Sequence, residues 1–182
     1  GSSRCFDESC VCRHSKSTWG HSLRSVCTFR TVEDFWRLFN NVVPPSKLVA
    51  GADFYVFKEG IEPKWEDPKC APGGKWTVPV PKNANPKQIL DTYWLHTILA
   101  MIGEQFDEGH DLCGVVANIR TKQDRVAVWT KTSSKEEVQM SIGKQLKEFL
   151  DIPPMTTIGF LSHADAKSLD RKAKVSNSMH AI

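Results

Sequence analysis

No apolar run in this 182-residue sequence approaches the length needed to cross a bilayer, which excludes a membrane-spanning helix. The amino-terminal stretch reads as lacking the basic and apolar regions of a secretory signal. The expected compartment is therefore the cytoplasm, with the nucleus as a second one. An excess of one charge is missing too. Twenty-four basic residues face 21 acidic ones, a net charge of +3. A protein that coats long stretches of nucleic acid is usually far more basic, so any anionic ligand is small or held at a local patch. The sequence also lacks a glycine-rich phosphate cradle, a metal–carboxylate cluster and a paired nucleophile and base, which leaves hydrolase and nucleotide-enzyme readings unsupported. There is no internal repeat and no low-complexity tract.

Six cysteines are scattered at positions 5, 10, 12, 27, 70 and 113. Cys5, Cys10 and Cys12 lie near His14 and His21, but the spacing has no second paired knuckle, so no metal is expected. Residues 1–17 read instead as a tail: a tag scar, Gly1-Ser2-Ser3, followed by a poorly ordered polar segment with free thiols. The length suits one domain with a substantial core, expected over 18–175, with 176–182 as a second tail.

What the sequence does have is tryptophan, six of them: Trp19, Trp36, Trp65, Trp76, Trp94 and Trp129. Indole supplies core area, and also a flat electron-rich face for stacking ligands and cations. Local setting has to separate the two uses.

Thr31 reads as the N-cap of a first helix, with Glu33 and Asp34 in the first turn complementing the helix dipole. Phe35, Leu38, Phe39 and Val42 form its inward stripe, Val32 and Trp36 lie on an adjacent flank, and the helix ends before Pro44-Pro45. Asp53 to Lys58 reads as a strand, followed by a proline-bound loop, and Lys75 to Val80 reads as another. A second helix starts at about Pro86 or Asp91 and runs to Phe106. Its apolar coverage, including Leu95 and Leu99, is too wide for one stripe and implies burial on two sides. A third helix is expected from Ser134, with Glu137 completing a capping box, and a strand resumes over Thr157–Leu161. Trp76 and Trp94 read as core. The expected fold is α+β, a single curved antiparallel sheet with three helices on its convex face and the ligand site on the concave side.

The most informative stretch is the pair of alternating segments Cys113–Arg120 and Arg125–Thr130, which reads as a β-hairpin. With Arg120 opposite Arg125, the residues Asn118, Arg120, Arg125 and Trp129 share one face, and Ala117, Ile119, Val126 and Val128 the other. Two like charges opposite one another are costly unless an anion bridges them, and the guanidinium fork suits phosphate. An exposed Trp129 beside them makes a stacking platform next to a phosphate clamp; the alternative is two solvated arginines at a hairpin mouth. In the loop Pro63-Lys64-Trp65-Glu66-Asp67-Pro68 the indole either plugs the core or projects into a site. In a site, Trp65 would stack a guanine whose N–H edge the Glu66 carboxylate accepts. Trp19, also in a loop, supplies a candidate opposite wall.

These residues meet a known pattern. Thr31-Val32-Glu33-Asp34-Phe35-Trp36, Ile61-Glu62-Pro63-Lys64-Trp65-Glu66-Asp67, Gly73-Gly74-Lys75-Trp76, Ile102-Gly103-Glu104-Gln105-Phe106-Asp107, Val126-Ala127-Val128-Trp129-Thr130 and Ser141-Ile142-Gly143-Lys144 resemble, in order, the cap-binding translation initiation factor 4E family. Cys70 and Cys113 resemble its plant or green-lineage members most. The resemblance implies a 7-methylguanine held between Trp19 and Trp65, read by Glu66 and touched at its methyl group by Trp129. The cap phosphates would lie on Arg120 and Arg125, with Lys122 and Lys75 as auxiliary contacts. Val32, Trp36, Leu95 and Leu99 match positions that receive a short helical motif from the initiation factor 4G scaffold or from competing regulators. No cofactor is implied; the ligand is the cap itself. The implied function is cap-dependent initiation, and the alternative is a repressor that holds caps without the scaffold. Cys70 and Cys113 are a possible disulfide pair, although free thiols are expected in a cytosolic protein. The family's tryptophan-rich first strand reads as missing here, with only Phe6-Asp7 resembling its end.

Overall fold

The computed structural model describes the main chain of residues 5–15, 24–82, 85–172 and 180–181, and the side chains of 25–82 and 85–168. The chain forms strands β1 (Cys5–Ser15), β2 (Arg24–Thr31), β3 (Asp53–Lys58), β4 (Gly74–Pro79), β5 (Leu112–Asn118), β6 (Arg125–Thr130), β7 (Gly159–Ser162) and β8 (His180–Ala181). Its α-helices are α1 (Val32–Phe39), α2 (Pro86–Ile102), α3 (Glu136–Phe149) and α4 (His163–Lys172). All eight strands join one antiparallel sheet in the order β2-β1-β3-β5-β6-β4-β7-β8.

Period-2 alternation puts every second side chain of the central strands under the helices. Phe54, Val56, Trp76, Val78, Val115, Ala117, Val126 and Val128 meet Phe35, Leu90, Trp94, Ile98, Ile142 and Leu146 in the main core. Trp76 and Trp94 are completely buried, as expected of them; each contributes on the order of 3 kcal/mol or more by area burial. The opposite face carries a smaller apolar cluster of Phe57, Ile61, Cys70, Cys113, Val116, Ala127 and Trp129. The α+β expectation, a curved antiparallel sheet with helices over one face, therefore holds.

Thr31 caps α1 as its sequence position suggested, its hydroxyl accepting from the Asp34 N–H at 3.1 Å. Elsewhere the boundaries move. α3 begins at Glu136, two residues after Ser134, and carries no side-chain cap, so the expected capping box does not form. Within the stretch expected as a tail, Cys5–Ser15 is a strand held between β2 and β3, where the sequence reading had no first strand. Its mixed polar composition gives no alternating pattern, and its place comes from ladders on both sides. His180–Ala181 likewise pairs with β7, inside the stretch expected as a tail. A fourth helix, α4, follows β7 directly. Ser162 caps it: its hydroxyl accepts from the Asp165 N–H at 3.0 Å and donates to the Asp165 carboxylate at 2.6 Å, in a Ser-x-x-Asp sequence of the capping-box type.

Candidate ligand site on the second sheet face

The β5–β6 hairpin pairs Asn118 with Arg125, Val116 with Ala127 and Gly114 with Trp129. That is two residues out of the expected register, in which Arg120 faced Arg125. Residues 119 and 120 leave β6 because other partners compete for them. Ile119 exchanges main-chain hydrogen bonds with the 51–52 segment, and the Asp124 carboxylate accepts the Arg120 N–H at 2.9 Å. A slip of two preserves the faces. Val126 and Val128 stay in the main core, while Ala127 and Trp129 join the opposite cluster.

The two arginines are therefore not a facing pair. The Arg120 guanidinium is bound to Asp53 at 2.8 Å and donates to the carbonyls of Ala52 and Ile119. Asp53, which sequence reasoning passed over, also accepts from the Asn118 amide at 2.6 Å and so anchors this corner of the sheet. The Arg125 side chain is exposed and makes no hydrogen bond or ion pair with the described residues, and the same holds for the Lys122 side chain. Lys75 sits across the β4–β6 ladder from Trp129 and is half-buried.

Trp129 is only 6% exposed, so the bare indole expected from the sequence is corrected. Phe57 meets it edge-on with ring centroids 5.5 Å apart, and His163 of α4 lies against it at 4.4 Å. Gly114, opposite Trp129, leaves room for the Phe57 ring, which a Cβ there would strike. His163 is the main residue of this face that sequence reasoning missed, and the Ser162-His163-Ala164-Asp165 capping box was the signal that could have found it. Its main-chain N–H donates to the Gly73 carbonyl at 3.0 Å, but neither ring nitrogen has a partner among the described residues. Burial, and then the charges of Lys75 and Lys167, push its pKa down to about 4, so the ring is neutral at physiological pH.

The loop between β3 and β4 carries Trp65 and Glu66. Its shape is held by Asp67, whose carboxylate accepts from the main-chain N–H groups of Glu62 and Lys69, each at 2.8 Å. Cys70, fully buried, seals the base. Trp65 is half-buried and packs against the Trp129 cluster, and its carbonyl accepts from the Lys167 ammonium at 3.5 Å. Glu66 is exposed and makes no hydrogen bond or ion pair with the described residues, so its carboxylate is available to a ligand. Cys70 and Cys113 are both buried, free thiols. Its hydrogen bond to Cys70, in which the Cys113 thiol is the donor, followed by burial, raises the Cys113 pKa well above the ordinary thiol range. Trp19, expected as the opposite wall, lies outside the described residues, as do the side chains of Cys5, Cys10, Cys12 and His14, and all of His21.

One face of the sheet thus gathers two indoles, an available carboxylate, a neutral imidazole and a fringe of cations. Such a set can stack a flat cation, accept from its N–H edge and balance an anionic tail. On the helical side, Trp36 is 37% exposed, and Val32, Leu95 and Leu99 are partly buried. Trp36 stands edge-on to Phe39 at 5.8 Å, fixed yet accessible.

The profile of the family described as Eukaryotic initiation factor 4E matches residues 6–178. The chain is 57% identical to eukaryotic translation initiation factor 4E-1 of Arabidopsis thaliana over 169 residues, covering 93% of this chain and 68% of that protein. It is 56% identical to the factor of the same name from Glycine max over 162 residues, 89% of this chain and 65% of that one. It thus spans about two thirds of the length of these relatives. Among solved structures, Ascaris suum eIF4E-3 in complex with an m2,2,7G cap superposes with a TM-score of 0.90 at 37% identity, over 100% of this chain and 99% of that one. The complex of C. elegans eIF4E-3 with the 4E-binding protein Mextli and a cap analog gives a TM-score of 0.89 at 34% identity, covering both chains completely.

Proposed function

The chain belongs to the eukaryotic initiation factor 4E family, and we propose that it binds the 7-methylguanosine cap of mRNA and recruits the initiation factor 4G scaffold to start cap-dependent translation. The observation that carries this reading is the tip of the β3–β4 loop, where Trp65 packs beside the Trp129 cluster and the neighbouring Glu66 carboxylate is unengaged.

Methylation at N7 makes guanine a cation. Each flanking indole then adds an electrostatic attraction to dispersion, on the order of 0.5–2 kcal/mol per ring. In this reading Trp65 forms one wall and Trp19 the other, Glu66 accepts the N1–H and amino hydrogens, and Trp129 borders the methyl group. Arg125, Arg120, Lys122 and Lys75 balance the phosphates. Because Arg120 is already paired with Asp53, its part is that of a fixed cation, and the unpaired Arg125 has the freer hydrogen-bonding capacity. His163 stays neutral against Trp129, so it adds no positive charge beside the cationic base. No bond is made or broken in this scheme, and the chain acts as a binding protein, not an enzyme. Val32, Trp36, Leu95 and Leu99 form the docking patch for a scaffold or regulator helix, a helix-in-groove mode. Such a role places the protein in the cytoplasm, and in the nucleus where capped transcripts arise.

Tryptophan fluorescence tests the reading. Titration with 7-methyl-GTP should quench strongly and GTP weakly, the difference being the cationic contribution. Equal responses to the two nucleotides would remove the charge-dependent stack.

A further inference from the structure

Beyond the end of the β5–β6 hairpin lies a cleft of about 250 Å³, bordered by the 119–124 connection on one side and the start of α2 on the other. Lys82, Lys87, Arg120, Thr121, Lys122 and Asp124 line it. Its floor is fixed by Asp124. The carboxylate of that residue accepts from the Arg120 N–H and from the Lys87 ammonium, each at 2.9 Å, and its carbonyl accepts from the Val80 N–H at 2.9 Å. Arg120 is matched by Asp53 and Lys87 by Asp124. Lys82, Lys122 and the Thr121 hydroxyl have no hydrogen-bond or ion-pair partner among the described residues, which leaves two unmatched cations and a hydroxyl donor facing one small space. The first turn of the 17-residue α2 contains no acidic residue, so the helix dipole adds to the positive potential.

From this we infer that the cleft is a second anion subsite, which takes a phosphodiester of the RNA chain just downstream of the cap. The inference rests on the cap-binding reading. Arg120 and Lys122 belong both to the proposed phosphate set and to the cleft lining, so a chain leaving that set enters the cleft without a gap. The volume suits a backbone phosphate with its waters, and is below the usual size of a pocket for a whole small-molecule ligand. Lys82 and Lys87 would then convert cap affinity into affinity for capped RNA, through contacts that are blind to base sequence.

The test compares 7-methyl-GTP with a 7-methylguanosine-capped pentaribonucleotide, using the full chain and the variants Lys82→Gln, Lys82→Glu and Lys82→Gln/Lys87→Gln. The wild-type chain should bind the capped oligonucleotide more tightly than 7-methyl-GTP and with a steeper salt dependence. The double variant should bind 7-methyl-GTP as before, lose ~5- to 10-fold for the oligonucleotide, and show a salt slope shallower by roughly 0.7, the share of one single-strand phosphate. Lys82→Glu should deepen the loss of the single Gln variant without unfolding the chain, since Lys82 is exposed. An oligonucleotide preference and slope unchanged in the double variant would overturn the inference, as would a wild-type chain that gains nothing from the longer ligand. Failure to prefer 7-methyl-GTP over GTP would instead strike the cap reading itself.

Discussion

Lowering the pH from 7.5 to 5.0 should cost this protein stability through one residue, His163. The ring is 1% exposed, both of its nitrogens are without a partner among the described residues, and its pKa is pushed down to about 4 from an ordinary 6.5. Above pH 6.5 the imidazole is neutral in native and unfolded chains alike, and contributes no pH dependence. Between 6.5 and about 4 the unfolded chain takes up the proton and the native chain does not, so stability falls as pH falls. Below about 4 both states are protonated and the loss levels off. Integrated over that window the penalty is about 3 kcal/mol, of which about 2 kcal/mol has accrued by pH 5. Urea denaturation of the wild-type chain and of His163→Phe, each at both pH values, isolates this contribution, because the other five histidines are common to both proteins. Phenylalanine keeps a ring against Trp129 and removes the basic nitrogens. The wild type should lose about 2 kcal/mol more than the variant, a difference of roughly 1 M in urea midpoint for a chain with an m-value near 2 kcal/mol/M. Parallel pH responses of the two proteins would show that the ring is solvated or hydrogen-bonded in solution, and the argument would be wrong.

Two further outcomes follow from the division of the sheet into two faces. Trp65→Leu or Glu66→Ala should abolish retention on a cap resin, while Trp36→Ala spares retention and removes binding of a scaffold helical peptide in a pull-down; the reverse pattern would overturn the assignment of faces. Mild oxidation should join Cys70 to Cys113, which meet as free thiols, and tie the base of the Trp65 loop to β5. Nonreducing peptide mapping that never recovers the linked pair would refute that, and the raised thiol pKa makes the reaction slow without added oxidant.

The sequence is most legible where a local rule is also the global one. Thr31 with two acids behind it can hardly be anything but a helix start, and β3 spans Asp53–Lys58, the expected segment. The hairpin is a subtler case. Its register was displaced by two residues because Asp124 and the 51–52 segment capture Arg120 and Ile119, neither of which is visible in the hairpin's own pattern. The face of every strand residue was still right, because side-chain direction repeats every two positions. What did not survive was the pairing of Arg120 with Arg125, a claim about register and not about faces. β1 was invisible for a different reason: its eleven residues carry no alternation, and only the ladders to β2 and β3 specify it. Trp129 was placed on the correct face but expected in solvent, because α4, which covers it with His163, had been overlooked.

That covering matters for how the site works. β6 serves both faces at once, sending Val126 and Val128 into a large core under three helices and Ala127 and Trp129 into a cluster that, among the described residues, is closed by a loop and the start of α4. The strand is therefore held rigidly from behind, while the side on which the ligand is proposed to bind is held by much less buried area. Opening free energy follows local burial, so the Trp65 loop and the first turn of α4 should loosen well before the sheet does. The loop is anchored to that side by the buried Ile61 and Cys70 and by the Cys113 thiol on the Lys69 carbonyl, the helix by the His163 N–H on the Gly73 carbonyl and the Lys167 ammonium on the Trp65 carbonyl. A cation stacked on Trp65 would add contacts to just these two elements. Binding energy would then go into ordering the rim of a site whose floor is already built, an arrangement that keeps the conformational cost of recognition small.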